Sequence, residues 1–118
     1  MNAILLVGLG GAAGSILRFL CQRSLNISNF PYGTLTVNIA GCFIIGLLWG
    51  FLIKGNLQES GRLLLITGFC GGFTTFSAFT QESIQLLTQQ RLTAFFIYVL
   101  ISVAAGLLAT FAGYKLIT

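Results

Sequence analysis

The stretch "GFCGGFTTFSAF", residues 68–79, interrupts a hydrophobic segment that is otherwise long enough to be a membrane-spanning helix. Three glycines and two adjacent threonines fall between Gly68 and Thr75, and both residue types weaken an α-helix. Irregular backbone at membrane depth is stable only where protein buries it or where it lines a polar cavity. The stretch therefore predicts a helix broken near its middle, with backbone carbonyls that are free to hold a small cation.

The composition places the whole chain in a lipid bilayer. Of its 118 residues 56% are apolar and only 7% are charged, whereas a soluble domain carries about 25% charged residues. A helix needs roughly 20 apolar residues to cross the hydrocarbon core, and four such windows exist, at about 3–22, 33–53, 62–88 and 93–116. We therefore predict an all-α membrane protein in which residues 1–118 form one four-helix domain. We expect no enzymatic site and no nucleic-acid partner.

The positive charges are balanced between the two sides of the predicted helices. With four spans, three fall on the side of the termini and three on the other side: Lys54, Arg62 and Lys115 against Arg18, Arg23 and Arg91. A chain without this bias can insert in both orientations, which predicts an antiparallel dimer of identical subunits. Small residues four apart favour close helix packing, and they occur as the pairs Gly10/Gly14, Gly46/Gly50 and Ala109/Gly113.

Polar side chains inside the spans are few, so each is a candidate for function. Asn38 lies in the second span, and Tyr98 and Ser102 share one face of the fourth because they are four residues apart. Glu82 is the one acidic residue within a span, and we expect no Lys or Arg deep in any of them. Proton-coupled small multidrug transporters rely on a glutamate in the first helix, and residues 3–22 contain none.

Phe76 and Phe79 follow the predicted break directly and lie three apart on one helix face. An aromatic ring carries a positive edge around its negative face. Two rings that turn their edges inward beside Ser77 could line a path for a small anion without a fixed positive charge. Such weak binding would let the ion leave, as conduction requires.

Three blocks of the sequence, "GGAAGSILRF", "GTLTVNIAGCFIIG" and "GFCGGFTTFSAF", resemble the signature blocks of the CrcB/Fluc fluoride channels of bacteria. The resemblance covers the whole chain and the order of the blocks. It implies a multi-pass protein of the bacterial inner membrane that forms a dual-topology homodimer. It further implies passive export of fluoride from the cytoplasm, which lowers fluoride toxicity, and a structural Na⁺ ion at the dimer centre.

The resemblance also implies roles for individual residues. The sodium ion would be held by the main-chain carbonyls of Gly71 and Thr74. The fluoride path would comprise an aromatic pair, a supporting asparagine and a polar track, namely Phe76, Phe79, Asn38, Ser77, Tyr98 and Ser102. Vestibule or supporting roles would fall to Arg18, Thr75 and Glu82.

The chain departs from the family pattern at two positions, and two other functions stay open. Ala78 stands where the family often has threonine, and Gly106 follows Ser102 where some members continue a serine track. The first alternative is a proton-coupled small exporter in which Glu82 titrates. The second is a non-conducting subunit of a heterodimeric fluoride channel.

Overall fold

The computed structural model describes residues 2–118, and every long element in that range is a helix. Four helical segments are long and apolar enough to cross a membrane: Ala3–Leu25, Tyr32–Ile53, Glu59–Thr88 and Leu92–Ile117. These segments confirm the four predicted spans, and the first runs to Leu25, three residues beyond its predicted end.

The third span consists of two helices, so five helices are labelled. α1 is Ala3–Leu25, α2 is Tyr32–Ile53, α3 is residues 59–73, α4 is Phe76–Thr88 and α5 is Leu92–Ile117. Most of α3, Arg62–Cys70, is wound as a π-helix, in which the Gly71 N–H reaches back five residues to the Ile66 carbonyl. Such wide turns are rare and frequently mark functional sites.

The helices pack in two pairs, α1 along α3 and α2 along α5. In the first pair, a side chain on Gly10 or Gly14 would overlap the backbone carbonyl of Leu64 or Phe69. In the second pair, Gly46 stands equally close to the Thr110 carbonyl. Small residues let helix backbones approach in lipid, so the predicted packing role of these glycines is confirmed.

The break in the third span lies at the threonines and not at the glycines. Thr74 and Thr75 have extended backbone, with φ/ψ of −88°/158° and −150°/119°. Gly71 remains helical at φ −61°, and Gly72 packs against the Gly11 carbonyl of α1. The predicted break is therefore confirmed, but Gly68 and Gly72 pack against α1, whereas the β-branched threonines supply the extended residues.

Candidate ion path at the helix break

The side chain of Asn38 holds the break open from the neighbouring helix α2. Its Oδ1 accepts a hydrogen bond from the Thr75 N–H at 2.8 Å, and its Nδ2 donates to the Thr75 carbonyl at 3.0 Å. Two backbone groups of one extended residue thus find partners in a single amide. A buried backbone group without a partner is costly, so Asn38 is positioned to stabilise the break itself.

Thr75 also starts the second half of the span. Its Oγ1 accepts from the Ala78 N–H at 3.2 Å, which makes Thr75 the N-cap of α4. The positive end of the α4 dipole consequently lies within the membrane span. Ser77 is exposed, and its hydroxyl is 3.3 Å from Thr75 Oγ1, so it belongs to this cap and does not line the groove described below.

The two predicted sodium ligands have carbonyl groups without the usual helical donor. In a continuous α-helix the Thr75 N–H would bond the Gly71 carbonyl, but here it is directed to Asn38. Thr74 precedes α4 in extended conformation, so its carbonyl lies outside the helical ladder. Gly71 is exposed, and a Cβ placed on it would meet nothing within 4 Å. These two carbonyl oxygens suit a hard cation, because hard cations prefer oxygen ligands.

Arg18 lies within the first candidate span, α1, contrary to the expectation that no Lys or Arg lies deep in a span. Its Nε donates to the Gly72 carbonyl at 2.9 Å, immediately before the break. Seven residues of α1 follow it, or about 10 Å of helix. The interior position is stable because the guanidinium binds a carbonyl in the interrupted helix. If Arg18 is left out of the count, three cations remain on the side of the termini and two on the other side.

The rings of Phe76 and Phe79 lie on one face of α4, as predicted, with their centroids 5.7 Å apart. Phe79 continues the contact to Tyr98 of α5 at 5.3 Å, with the ring planes tilted by 55°. The Phe76 side chain is 76% exposed. Aromatic surface therefore runs from an open face of the molecule to a buried tyrosine.

A groove of about 320 Å³ opens beside the break, between α2, α4 and α5. Its lining includes four of the predicted path residues, Asn38, Phe76, Phe79 and Ser102. The Ser102 hydroxyl is buried and has no hydrogen-bond partner within residues 2–118. An unpaired buried hydroxyl costs free energy, so this donor is available to a ligand in the groove.

Glu82 lies further along α4 in a polar cluster drawn from three other helical segments. Its Oε1 accepts from the Tyr98 hydroxyl at 3.0 Å. Its Oε2 accepts from Thr34 Oγ1 at 2.9 Å and from Asn26 Nδ2 at 3.3 Å. Gln22 Nε2 donates to the same threonine at 3.0 Å. Within residues 2–118 no cation forms a salt bridge with this carboxylate, so hydrogen bonds alone stabilise it.

Residues 5–114 match the protein family described as "CrcB-like protein, Camphor Resistance (CrcB)". The chain belongs to this family. Among similar proteins of the CrcB family, "Fluoride-specific ion channel FluC" of Flavobacterium psychrophilum is 46% identical, covering 96% of this chain and 94% of the relative. The protein of the same name from Rhizobium etli is 48% identical with the same coverage. "Fluoride-specific ion channel FluC 2" of Rhodococcus jostii is 47% identical over 96% of each chain.

For this CrcB family member the structure brings most of the predicted residues together and adds three. Asn38 meets Thr75 at the break and Arg18 bonds Gly72 just before it, while Tyr98 joins Glu82 rather than Ser102. Gln22 and Asn26 were not predicted, and Thr34 was predicted only as one of the few polar side chains within the second span. Gln22 and Asn26 are four residues apart at the end of α1, a spacing that could have indicated a shared polar target.

Proposed function

We propose that the chain is a passive, fluoride-selective channel of the bacterial cytoplasmic membrane. The observation that carries the proposal is the similarity, over nearly the whole chain, to relatives named fluoride-specific ion channels. The groove beside the break supports it because its lining combines the rings of Phe76 and Phe79 with the hydroxyl of Ser102, which has no partner among the described residues. The proposed activity is transport and includes no chemical step.

The path would replace the water that fluoride loses on entry. Removing a small anion from water without new partners costs tens of kcal/mol in a low-dielectric medium. The Ser102 hydroxyl can donate to the ion, and Phe76 and Phe79 can offer ring edges. Asn38 contributes by holding the break, since its amide is bound to Thr75. None of these groups is a fixed cation, so the ion is not trapped.

We further infer that two copies associate antiparallel and cover the open groove. One span carries the exposed Phe76 ring, and Gly71 faces open space beside it. A second copy that covers these exposed parts of α3 and α4 could complete the path. The small remaining charge difference, three cations against two, is compatible with insertion in both orientations.

A Na⁺ ion at the centre of such a dimer would be held by main-chain carbonyls. The carbonyls of Gly71 and Thr74 lack their helical donors, which is the observation that favours them. Two carbonyls from each copy would coordinate the ion and join the two breaks. The ion would supply structure, and no step of anion transport requires it.

Flux from liposomes tests the proposal against both alternatives. A channel should carry fluoride with no proton gradient and should collapse a membrane potential set by a potassium ionophore. Electroneutral flux that requires a proton gradient would instead favour an exporter in which Glu82 titrates. Because only this chain is reconstituted, a complete lack of flux from assembled protein would favour the heterodimer subunit.

A further inference from the structure

Asn26 ends α1 and joins three helices through one amide group. Its Oδ1 accepts from the Gly33 N–H at 2.6 Å, at the start of α2. Its Nδ2 donates to Thr34 Oγ1 and to Glu82 Oε2, both at 3.3 Å. A backbone N–H can only donate, so Gly33 fixes the amide oxygen toward α2. The amide NH₂ group is thereby turned toward Thr34 and Glu82.

Thr34 receives a second amide donor from the same helix. Gln22 lies one turn before Asn26, and its Nε2 donates to Thr34 Oγ1 at 3.0 Å. A hydroxyl has one proton and two lone pairs. The two amides occupy both lone pairs, so the proton is directed to the remaining neighbour, Glu82 Oε2, at 2.9 Å. Thr34 is fully buried, so bulk water does not compete for this oxygen.

We propose that Gln22 and Asn26 are positioning residues of the ion path, which orient the Thr34 hydroxyl and thereby hold the Glu82 carboxylate in place. This inference rests on the proposed channel function. Tyr98 holds the other carboxylate oxygen, so donors on three helices share the negative charge. Beside Glu82 lies a polar cavity of about 240 Å³, which also contacts Asn29 and Gln85. A carboxylate released into that cavity would repel an entering anion.

The substitution Asn26→Asp tests the inference because it keeps the shape of the side chain, removes the amide donor and adds one negative charge. The aspartate keeps an oxygen for Gly33 but places a second carboxylate oxygen against Glu82. The double substitution Asn26→Asp with Glu82→Gln swaps the two groups, so the new amide can donate to the new carboxylate. Gln81→Ala is the matched control, because Gln81 is an exposed amide next to Glu82 and outside its cluster. These variants and Glu82→Gln alone, which completes the cycle, are measured by fluoride efflux from liposomes and by thermal unfolding in detergent.

We expect Asn26→Asp to slow efflux about tenfold or more, because like charges in contact repel, and to lower the unfolding temperature. Adding Glu82→Gln should raise the unfolding temperature above that of Asn26→Asp alone. Gln81→Ala should leave both values unchanged. The inference would be overturned if the change in unfolding temperature of the double variant equalled the sum of the changes in the two single variants. Wild-type efflux from Asn26→Asp would also overturn it.

The experiments distinguish a variant that fails to assemble from a failure of the channel proposal itself. If Asn26→Asp does not assemble, Gln22→Met removes one Thr34 donor at similar volume and should still slow efflux; wild-type efflux from that variant would refute the positioning role. If wild-type protein carries no fluoride, the channel proposal fails. The unfolding temperatures of the single and double variants then still decide whether Asn26 and Glu82 are coupled.

Discussion

Replacing Asn38 by leucine tests whether one amide holds the helix break open. Leucine branches at the same carbon but cannot pair with the Thr75 N–H or carbonyl, which Asn38 binds at 2.8 and 3.0 Å. A buried polar group that loses its partner costs about 1–3 kcal/mol, so losing both partners costs roughly 2–6 kcal/mol. That sum is a large fraction of the total stability of a typical protein.

The chain can recover part of this cost by closing the break. Without Asn38, the Thr75 N–H can return to the Gly71 carbonyl and extend α3 through the threonines. That change would move Phe76 and Phe79 on the helix and remove the groove lined by their rings. We therefore expect Asn38→Leu to abolish fluoride efflux from liposomes and to lower the unfolding temperature in detergent.

The matched control is Thr36→Val, which replaces an exposed polar residue two positions away on α2. It should keep wild-type efflux and wild-type stability. Asn38→Asp separates the two hydrogen bonds, since it keeps the acceptor for the Thr75 N–H and places a negative charge against the Thr75 carbonyl. It should also block efflux. Wild-type efflux from Asn38→Leu would refute the role of the amide in maintaining the break.

Three further perturbations concern the aromatic pair, the helix contacts and the unpaired hydroxyl. Phe76→Ile or Phe79→Ile should abolish fluoride efflux, because the ring edges are lost, while the protein elutes unchanged from size exclusion. Gly14→Ala should lower the unfolding temperature strongly, because its Cβ would overlap the Phe69 carbonyl, whereas Gly8→Ala, which meets nothing within 4 Å, should not. Ser102→Ala should slow efflux yet unfold at the same or a higher temperature, since it removes a buried group that has no partner.

Each of these predictions has a result that contradicts it. Unchanged efflux after either phenylalanine substitution would exclude the rings as lining, and Phe96→Ile, an exposed ring on α5, is the control. Equal unfolding temperatures for the two alanine substitutions in α1 would refute close packing there. A Ser102→Ala variant that loses stability would indicate a structural hydrogen bond for that hydroxyl.

Much of the fold could be predicted because it depends on local composition. Span length follows from runs of apolar residues, and the glycine pairs indicated close contacts that the structure has at Gly10 and Gly14. The exact place of the break could not be derived in the same way. Low helix propensity weakens the helix over the whole of residues 68–75. The hydrogen bond between Asn38 and the Thr75 N–H, which joins two helices, selects Thr75 as an extended residue.

The polar clusters were predicted less completely, since they combine residues distant in sequence. The Arg18 bond to the Gly72 carbonyl spans 54 positions, and an arginine within an apolar run does not by itself indicate a carbonyl partner. Asn26 sits at a helix end, where an amide ordinarily faces water. Only the folded chain, which brings the end of α1 close to Glu82 of α4, shows this contact.

The central claim is tested most directly by anion efflux from vesicles that contain the purified chain alone. An ion-selective electrode would follow fluoride and then chloride after a potassium ionophore is added, with equal pH on both sides. The proposed channel predicts rapid fluoride release, retained chloride and no need for a proton gradient. Retained fluoride, equal release of chloride, or fluoride release only under a proton gradient would contradict it.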